Sequence, residues 1–368
     1  MKLLRTLLAV IAAALLGSGC ASVDYYWQSV SGHVNIMNSA RPVSDILADA
    51  QTPEALRARL AMTQRIRSFA VTDLALPDNG SYHRYADLHR SAVVWNVVAA
   101  PPFSLTLKTW CFPVVGCVGY RGYFNEADAQ LEAGKLKAEG LEVSVYGVPA
   151  YSTLGWMNWA GGDPLLNTFI NYPEGELARL IFHELAHQVV YASGDTMFNE
   201  SFATTVERLG SRRWLDSQSS EAARRQYAAF DGRRQAFRAL ALATRRELAD
   251  VYTPIYQQEE AGAPVKRAPS ATDLIATEKS KAFVMQRFRE NYARLKESWG
   301  GFAGYDPWVA KANNASFGAQ AAYDELVPSF EALFEREGHD WPRFYEAVRQ
   351  LAKLPQEQRH QALKTALR

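Results

Sequence analysis

Residues 183–188 read H-E-L-A-H-Q, which places two histidines four positions apart with a glutamate directly after the first. On an α-helix four residues turn about 400°, so His183 and His187 lie one turn apart on the same face. Neutral imidazoles bind Zn²⁺ without cancelling its charge, and Glu184 beside them is placed to take a proton from an attacking water. The pattern predicts one zinc ion held by His183 and His187, with Glu184 as the general base.

A catalytic zinc site needs a third protein ligand, and several carboxylates after His187 are candidates. Glu200 is favoured because it lies 13 residues after His187, beyond a turn that would lay a second helix against the first. Asp195 lies nearer to the turn, and Glu207 lies two helical turns beyond Glu200 on the same face, so both remain alternatives. We assign Glu200 as the third ligand, Glu207 as a carboxylate that orients a ligand histidine, and Asn199 as the helix cap.

The alternative for the motif is an exposed helical face that carries two solvated histidines. Apolar flanks argue against it, because a helix with such flanks is largely buried, and buried histidines and carboxylates need partners. A purely structural zinc would fill four protein positions and would have no use for Glu184. The motif therefore favours a catalytic metal. The apolar flanking residues are Leu180, Ile181, Phe182, Leu185, Ala186, Val189 and Val190.

The elements that position these residues follow from the periodicity of apolar residues and from the placement of glycine and proline. We predict helices over residues 44–70, 125–140, 171–194, 199–215 and 221–250, with helical sequence again from about residue 277. We predict strands over residues 91–99, 103–110, 114–120 and 141–147. Helices, then a modest β-sheet, then further helices indicate an α+β fold that is predominantly helical.

The N-terminus has the features of an export signal. Lys2 and Arg5 precede an apolar run at residues 7–16, which is too short for a stable transmembrane helix. The small residues before Cys20 are similar to a bacterial lipobox, which predicts cleavage before Cys20 and lipidation of its thiol. Ala21 follows the cysteine, as in known outer-membrane lipoproteins, so we expect a lipid-anchored envelope protein on the outer membrane, facing the periplasm. The alternative is an ordinary secreted protein with a chance cysteine.

Two cysteines, Cys111 and Cys117, remain after the predicted cleavage. In an oxidising compartment such a lone pair, with a proline and a glycine between its members, predicts a local disulfide. Two buried free thiols are the alternative.

The chain has 40 basic and 39 acidic residues, and its formal net charge is +1. Proteins that bind nucleic acid usually carry a strongly basic surface, so this balance argues against nucleic acid as a partner. The sequence indicates no protein partner. Its 368 residues are 48% hydrophobic, which is ample for a large core.

Taken together, H-E-x-x-H and the later N-E-x-F-A-x-x-x-E at residues 199–207 resemble the gluzincin aminopeptidases, whose third zinc ligand is the glutamate of an N-E-G-F-A segment. This chain differs by a shorter spacer and by Ser201 in place of the glycine. The chain more closely resembles a family of bacterial lipoproteins described as predicted zinc aminopeptidases. The likeness lies in the segments YADLHRSAVVWNVVAAPPFSL, WCFPVVGCVGYRGYF, GVPAYSTLGW, FHELAHQVVYASGDTMFNESFATTVE and NNASFGAQAAYDELVPSFEALF.

The resemblance implies a zincin-like catalytic domain, a peptide substrate and one Zn²⁺. We therefore predict a signal peptide at residues 1–19 and a single domain at 20–368. Within that domain, a helical and mixed-sheet part at 20–170 precedes the zinc-binding helices at 171–215 and a helical C-terminal part at 216–368.

Zincins also use an edge strand before the zinc helix to pair with the substrate backbone, which suggests a substrate-binding segment here. A core strand followed by a loop is the alternative. Farther along the chain, Asn314 could hydrogen-bond substrate, and Tyr323 could stabilise the oxyanion of the tetrahedral intermediate. Their alternatives are a helix cap and a core aromatic side chain. The residues of the predicted edge segment are Ser152, Thr153, Leu154 and Gly155.

An aminopeptidase also needs an acidic group that holds the α-ammonium of its substrate. The gluzincin aminopeptidases have such a carboxylate before the zinc helix, but Y-S-T-L-G-W at residues 151–156 has none. Asp163 and Glu174 are candidates between which the sequence does not choose. We predict an aminopeptidase, with a zinc endopeptidase or oligopeptidase as the alternative and a non-catalytic peptide-binding envelope module as the weaker one.

Overall fold

The computed structural model describes residues 20–112, 116–150, 153–155, 161–256, 269–320 and 326–365. The predicted signal peptide at 1–19, Ser152 and Tyr323 lie outside the described residues. The helices, in chain order, are α1 Cys20–Ser39, α2 Val43–Ala48, α3 Glu54–Thr72, α4 Glu126–Ala138, α5 Glu174–His187, α6 Thr196–Gln218, α7 Glu221–Tyr256, α8 Ala271–Ser298, α9 Asp306–Lys311, α10 Asn314–Gln320, α11 Val327–Arg336, α12 Trp341–Ala352 and α13 Gln356–Thr365.

In the described part of the chain, the strands form three small sheets with the orders β1-β2-β8, β6-β3-β7 and β4-β5. Their bounds are β1 Arg41–Pro42, β2 Arg84–Ala86, β3 Val94–Ala100, β4 Trp110–Phe112, β5 Gly116–Val118, β6 Arg121–Tyr123, β7 Glu142–Val148 and β8 Leu165–Leu166. The predicted α+β class with a helical majority is confirmed. Two details were wrong: the strands do not form one sheet, and most of the predicted strand 103–110 is irregular.

The central strand β3 has an almost continuous apolar sequence, and its position in the fold explains why. All seven of its residues are buried, and it pairs antiparallel with β6 on one side and β7 on the other. Apolar residues of α4 pack with Trp95 and Val97, while Ala315 of α10 packs with Val98. A strand covered on both faces loses the usual alternation of apolar and polar residues.

Helix α5, which carries H-E-L-A-H, ends at His187, earlier than the predicted end at Gly194. The turn that follows is held by Asn199, whose amide accepts from the Ala192 N–H at 2.7 Å and donates to the Ala192 carbonyl at 2.8 Å. The prediction of Asn199 as a helix cap was therefore wrong. Asp195 caps α6 instead, since its carboxylate accepts from the Phe198 N–H at 3.1 Å.

Helices α5 and α6 run in opposite directions, because Glu200 near the start of α6 meets the end of α5 while Glu207 meets Arg179 one turn before the motif. Gly210 lets α6 approach its neighbours closely. A Cβ atom there would lie 2.7 Å from Leu74 and 3.0 Å from Phe182, closer than ordinary van der Waals contact. The close approach brings the side chains of both helices to the same place.

The remaining helices support this pair from two sides. Phe198 and Phe202 of α6 pack against Phe330 of α11, and Phe202 also packs against Phe344 of α12. The long helices α7 and α8 pack on each other around a separate apolar cluster that includes Phe237. None of the described helices combines the length and apolar character needed to cross a membrane.

The sulfur atoms of Cys111 and Cys117 lie 1.96 Å apart. The two residues face each other directly in the β4–β5 pair.

Candidate metal centre and active site

Three donor groups converge where α5 and α6 meet. The Nε2 atoms of His183 and His187 are 3.1 Å apart, and the Glu200 carboxylate lies 3.3 Å from the first and 3.7 Å from the second. One ligand atom from each residue lies within 4.8 Å of the others. Two imidazoles and one carboxylate at such distances can hold a metal ion.

A chain of charged groups orients His183. Its Nδ1 lies 2.9 Å from a Glu207 carboxylate oxygen, and the other oxygen of Glu207 pairs with Arg179. An ionised carboxylate only accepts hydrogen bonds, so the imidazole carries a proton on Nδ1 and turns its Nε2 atom toward the centre. Burial opposes ionisation of Glu207, but Arg179 and the bond from His183 lower its pKa to about 2. Glu207 thus occupies the orienting position predicted for it.

His187 is held differently. Its Nδ1 is buried and has no hydrogen-bond partner among the described residues. Burial lowers the pKa of His187 to about 4, so the imidazole is neutral at neutral pH and its Nε2 faces the other two donors. A buried neutral histidine whose free electron pair points at two other donors fits a metal ligand.

The electrostatics of the centre also favour a cation. Burial alone would lower the pKa of His183, yet the hydrogen bonds and charges of Glu200 and Glu207 raise it well above the ordinary value. Burial would raise the pKa of Glu200, but His187 and His183 lower it. The carboxylates that stabilise a proton on the imidazole would stabilise a metal ion among the same donors.

Glu184 lines the same cavity as the three donors. Burial raises the pKa of Glu184 to about 7, and the neighbouring charge of His183 opposes the shift. A carboxyl group beside a metal position but outside the donor set suits a group that accepts and returns a proton.

The cavity has a volume of about 740 Å³ and lies between α5, α6, α7, the β6-β3-β7 sheet and α1. That volume suits a small molecule or a few peptide residues. Besides the donors and Glu184, its walls include Tyr25, Ser29, His33, Tyr120, Val148, Ala150, Tyr191, Arg179, Arg234 and Arg238.

Two tyrosines of the cavity were missed in the sequence. Burial raises the pKa of Tyr120 above its ordinary range, and the next contribution is the negative charge of Glu200. Tyr191 follows His187 by four residues, and the centroids of the two rings are 6.3 Å apart. The spacing after His187 could have identified Tyr191. Tyr120 comes from a distant strand region, and the sequence contains no signal that joins it to the motif.

The whole arrangement lies within a region that matches a known family. The family model described as "Putative aminopeptidase" matches residues 24–363. The chain belongs to this aminopeptidase family. No curated protein and no solved structure matches the chain significantly. The family description indicates that the chain is a peptidase.

In this aminopeptidase-family chain Asp195 is excluded as the third ligand. It is 2% exposed, and its carboxylate accepts from Arg359 at 2.5 Å and lies 2.9 Å from His360. Because these partners and the helix cap occupy both oxygens, the alternative that gave Asp195 to the metal was wrong. Glu207 is likewise occupied by Arg179 and by the far nitrogen of His183.

Glu174 and Asp163, the two candidates for binding the substrate α-ammonium, are also hydrogen-bonded to other groups. Glu174 lies at the first residue of α5, three turns from the histidines, and accepts from Trp214 at 3.0 Å and Ser219 at 2.5 Å. Asp163 is buried and accepts from the Thr153 N–H at 3.1 Å. Neither lines the cavity as described.

The predicted edge strand at 152–155 was wrong for its described part. Thr153, Leu154 and Gly155 form a turn, in which Leu154 has φ 56° and Gly155 has φ 78°. Thr153 and Leu154 do line the cavity. Strand β7 is one edge of the β6-β3-β7 sheet, since it pairs only with β3 among the described strands, and Val148 at its end lines the cavity.

Asn314 does not contact the cavity, so the predicted substrate contact was wrong. Its side chain is fully buried, accepts from the Tyr252 hydroxyl at 2.7 Å and donates to the carbonyls of Pro101 and Pro102. The amide therefore fastens α10 to the segment after β3. Its position at the start of α10 explains why the sequence suggested a cap.

Proposed function

We propose that this chain is a zinc-dependent peptidase, and specifically an aminopeptidase that acts on short peptides in the cell envelope. The observation that carries the proposal is the convergence of His183, His187 and Glu200 on one wall of a cavity that Glu184 also lines. Membership of the aminopeptidase family supports the same reaction class.

Zinc fits the donor set because two imidazoles and one carboxylate leave an open position, as in catalytic zinc sites. A zinc ion held there would lower the pKa of water and polarise the carbonyl of the scissile bond. Arg179 and Glu207 keep His183 in the tautomer that presents Nε2, so the chain itself supplies a preorganised site.

Glu184 takes the proton of the water that attacks the scissile carbonyl, and then gives this proton to the amine that leaves. The tetrahedral intermediate carries a negative charge on the former carbonyl oxygen, which needs a hydrogen-bond donor. Tyr120 and Tyr191 are the described tyrosines of the cavity near Glu200. Tyr323 stays a prediction for the same role.

The size of the cavity favours a short substrate with a free end over a long polypeptide. A volume of about 740 Å³ holds a few residues. Among the described strands, β7 has no strand on its outer side, which favours the alternative, an endopeptidase or oligopeptidase, because an extended substrate could pair with the end of β7 at the cavity. Peptides with free and with acetylated N-termini separate the two, since an aminopeptidase hydrolyses only the free set.

The proposed location in the cell envelope depends on the predicted signal peptide at residues 1–19 and on the three cysteines. We infer that Cys20, the first residue of α1, carries the lipid that attaches the protein to the outer membrane. The Cys111–Cys117 bond is expected to form in the oxidising periplasm.

The decisive test is Glu184→Gln. We expect the variant to keep one zinc per chain and to lose about 10²- to 10⁴-fold in turnover, because it lacks the base but retains every ligand. Glu126→Gln, which changes an exposed glutamate on α4, is the matched control and should behave as wild type. Turnover close to wild type in Glu184→Gln would refute the mechanism. A metal-free wild-type protein that cleaves no peptide of a broad library would favour the non-catalytic binding module.

A further inference from the structure

Helix α1 presents two faces of opposite character, and one of them is fully used by the fold. Tyr25, Ser29 and His33 line the cavity, and Ile36 enters the main core at 2% exposure. Gln28 fastens the helix to the sheet region, because its side chain accepts from the Phe124 N–H at 3.0 Å and donates to the Gly122 carbonyl at 3.3 Å. The helix is therefore a fixed wall of the cavity.

An adjoining face of α1 is apolar and open to solvent. The exposed fractions are 44% for Tyr26, 73% for Trp27, 59% for Val30 and 45% for Val34. The spacing of four between Tyr26, Val30 and Val34 aligns them along the helix, with Trp27 directly beside them. We call these four residues the α1 outer stripe. Four of the seven large hydrophobic side chains that are exposed in the described part of the chain lie in it, so it is a patch and not scatter.

The charge and the position of the stripe indicate what covers it. Helix α1 has no lysine or arginine, and Asp24 is its one acidic residue. The helix begins at Cys20, so the stripe runs from about 9 Å to about 21 Å along its axis from that residue. Tryptophan and tyrosine are the side chains that favour the boundary between lipid and water.

We propose that the α1 outer stripe rests in the surface of the lipid bilayer and forms a second membrane contact beside the lipid on Cys20. A single anchor leaves a protein free to tumble above the bilayer, whereas a helix that lies in the interface fixes its orientation. With α1 lying on the bilayer, the cavity wall formed by Tyr25, Ser29 and His33 lies close to the lipid surface. The proposal rests on the proposed lipid anchor and envelope location, and it does not depend on catalysis or on a bound metal.

Vesicle binding of the mature chain, residues 20–368, with Cys20→Ser to remove the acyl anchor, tests the stripe alone. We expect it to sediment with phosphatidylethanolamine–phosphatidylglycerol vesicles, and Trp27→Ser/Val30→Ser to weaken binding about tenfold or more, because both side chains leave apolar surroundings. Leu131→Ser/Phe283→Ser is the matched control, since Leu131 is 62% and Phe283 is 63% exposed outside the stripe. The control should bind like the parent chain.

The dependence on salt and lipid charge sharpens the test. Because the stripe carries no cation, binding should be equal at low and high salt and equal on vesicles without phosphatidylglycerol. Thermal unfolding checks that each variant is folded. Equal binding of the stripe and control variants would overturn the proposal. So would a dimer in analytical ultracentrifugation that Trp27→Ser/Val30→Ser dissolves while vesicle binding is absent, because a second copy would then cover the stripe.

Discussion

Helix α6 connects two buried clusters that contain the same residue types and do different things. One surrounds Glu200 and includes His183 and His187, and the other surrounds Asp195, five residues earlier, and includes Arg359 and His360. Both place a histidine ring close to a carboxylate, which is buried in Asp195 and partly buried in Glu200. In the second cluster every oxygen of Asp195 is paired with a cation, a ring nitrogen or a backbone N–H.

The first cluster differs because its three donor groups face one another. Two Nε2 atoms and a carboxylate crowd together, and the far nitrogen of His187 is unsatisfied within the described structure. The Glu200 carboxylate would stabilise a cation among these groups, whereas the Asp195 carboxylate is already neutralised by Arg359. A histidine close to a carboxylate is therefore weak evidence for a metal site. Three donor groups that converge on one point are stronger evidence.

The substitution His187→Ala should have the largest effect and tests whether the first cluster binds a metal. It removes one of three ligands, so we expect the bound zinc to fall below one-tenth of an ion per chain and turnover to fall about 10³-fold or more, since the metal contributes several kcal/mol to catalysis. Metal analysis and peptide hydrolysis measure both. A variant that keeps stoichiometric zinc would show that His187 is not a ligand.

Arg359→Met tests the second cluster through stability. The substitution leaves Asp195 buried without its guanidinium partner, so the free energy of unfolding should fall by about 3–5 kcal/mol. Urea denaturation of the zinc-loaded protein measures the change. A loss below about 1 kcal/mol would mean that the ion pair contributes no more than an exposed one does.

Glu207→Gln probes the support of the first cluster. Glutamine still accepts the His183 N–H but no longer carries the charge that Arg179 neutralises, so zinc affinity should fall about 10- to 100-fold. Competition with a chelator measures the affinity. Glu331→Gln removes a carboxylate that pairs with Arg208 at the surface and should leave affinity unchanged. An equal loss in both variants would contradict the orienting role.

His360→Ala should have the smallest effect on stability. Unlike His187→Ala, it should leave the zinc content unchanged. Asp195 keeps Arg359 and the helix cap, so unfolding should cost about 1–2 kcal/mol less and zinc content should not change. Differential scanning calorimetry and metal analysis suffice. Loss of zinc would show that the two clusters are not separate in function.

The sequence alone identifies what depends on local spacing. His183, Glu184, His187 and Glu200 follow from helical periodicity and a short turn, and the structure brings the first, third and fourth together. Glu207 is reachable by the same logic, since it lies two turns beyond Glu200. The helical majority of the fold is likewise a matter of local pattern.

Contacts between segments that are distant in the sequence could not be predicted. Nothing local connects Tyr120 to Glu200, or Asn314 to Pro101 and Pro102. Asn199 misleads because an asparagine before a helical pattern is typical of a cap, whereas here it holds the preceding turn from inside the helix. The edge at 152–155 misleads in the same way, because strand order depends on long-range contacts.

The bond between Arg359 and Asp195 joins residues that are 164 positions apart in the chain. It fastens the turn that separates the two histidines from Glu200 to helix α13, and so closes a loop over nearly half of the sequence. Long closures form slowly, so this contact should be among the late events of folding. For protein engineering, the helix pair α5–α6 cut out as a miniature metalloprotein would contain all three ligands and lack this contact on the turn between them.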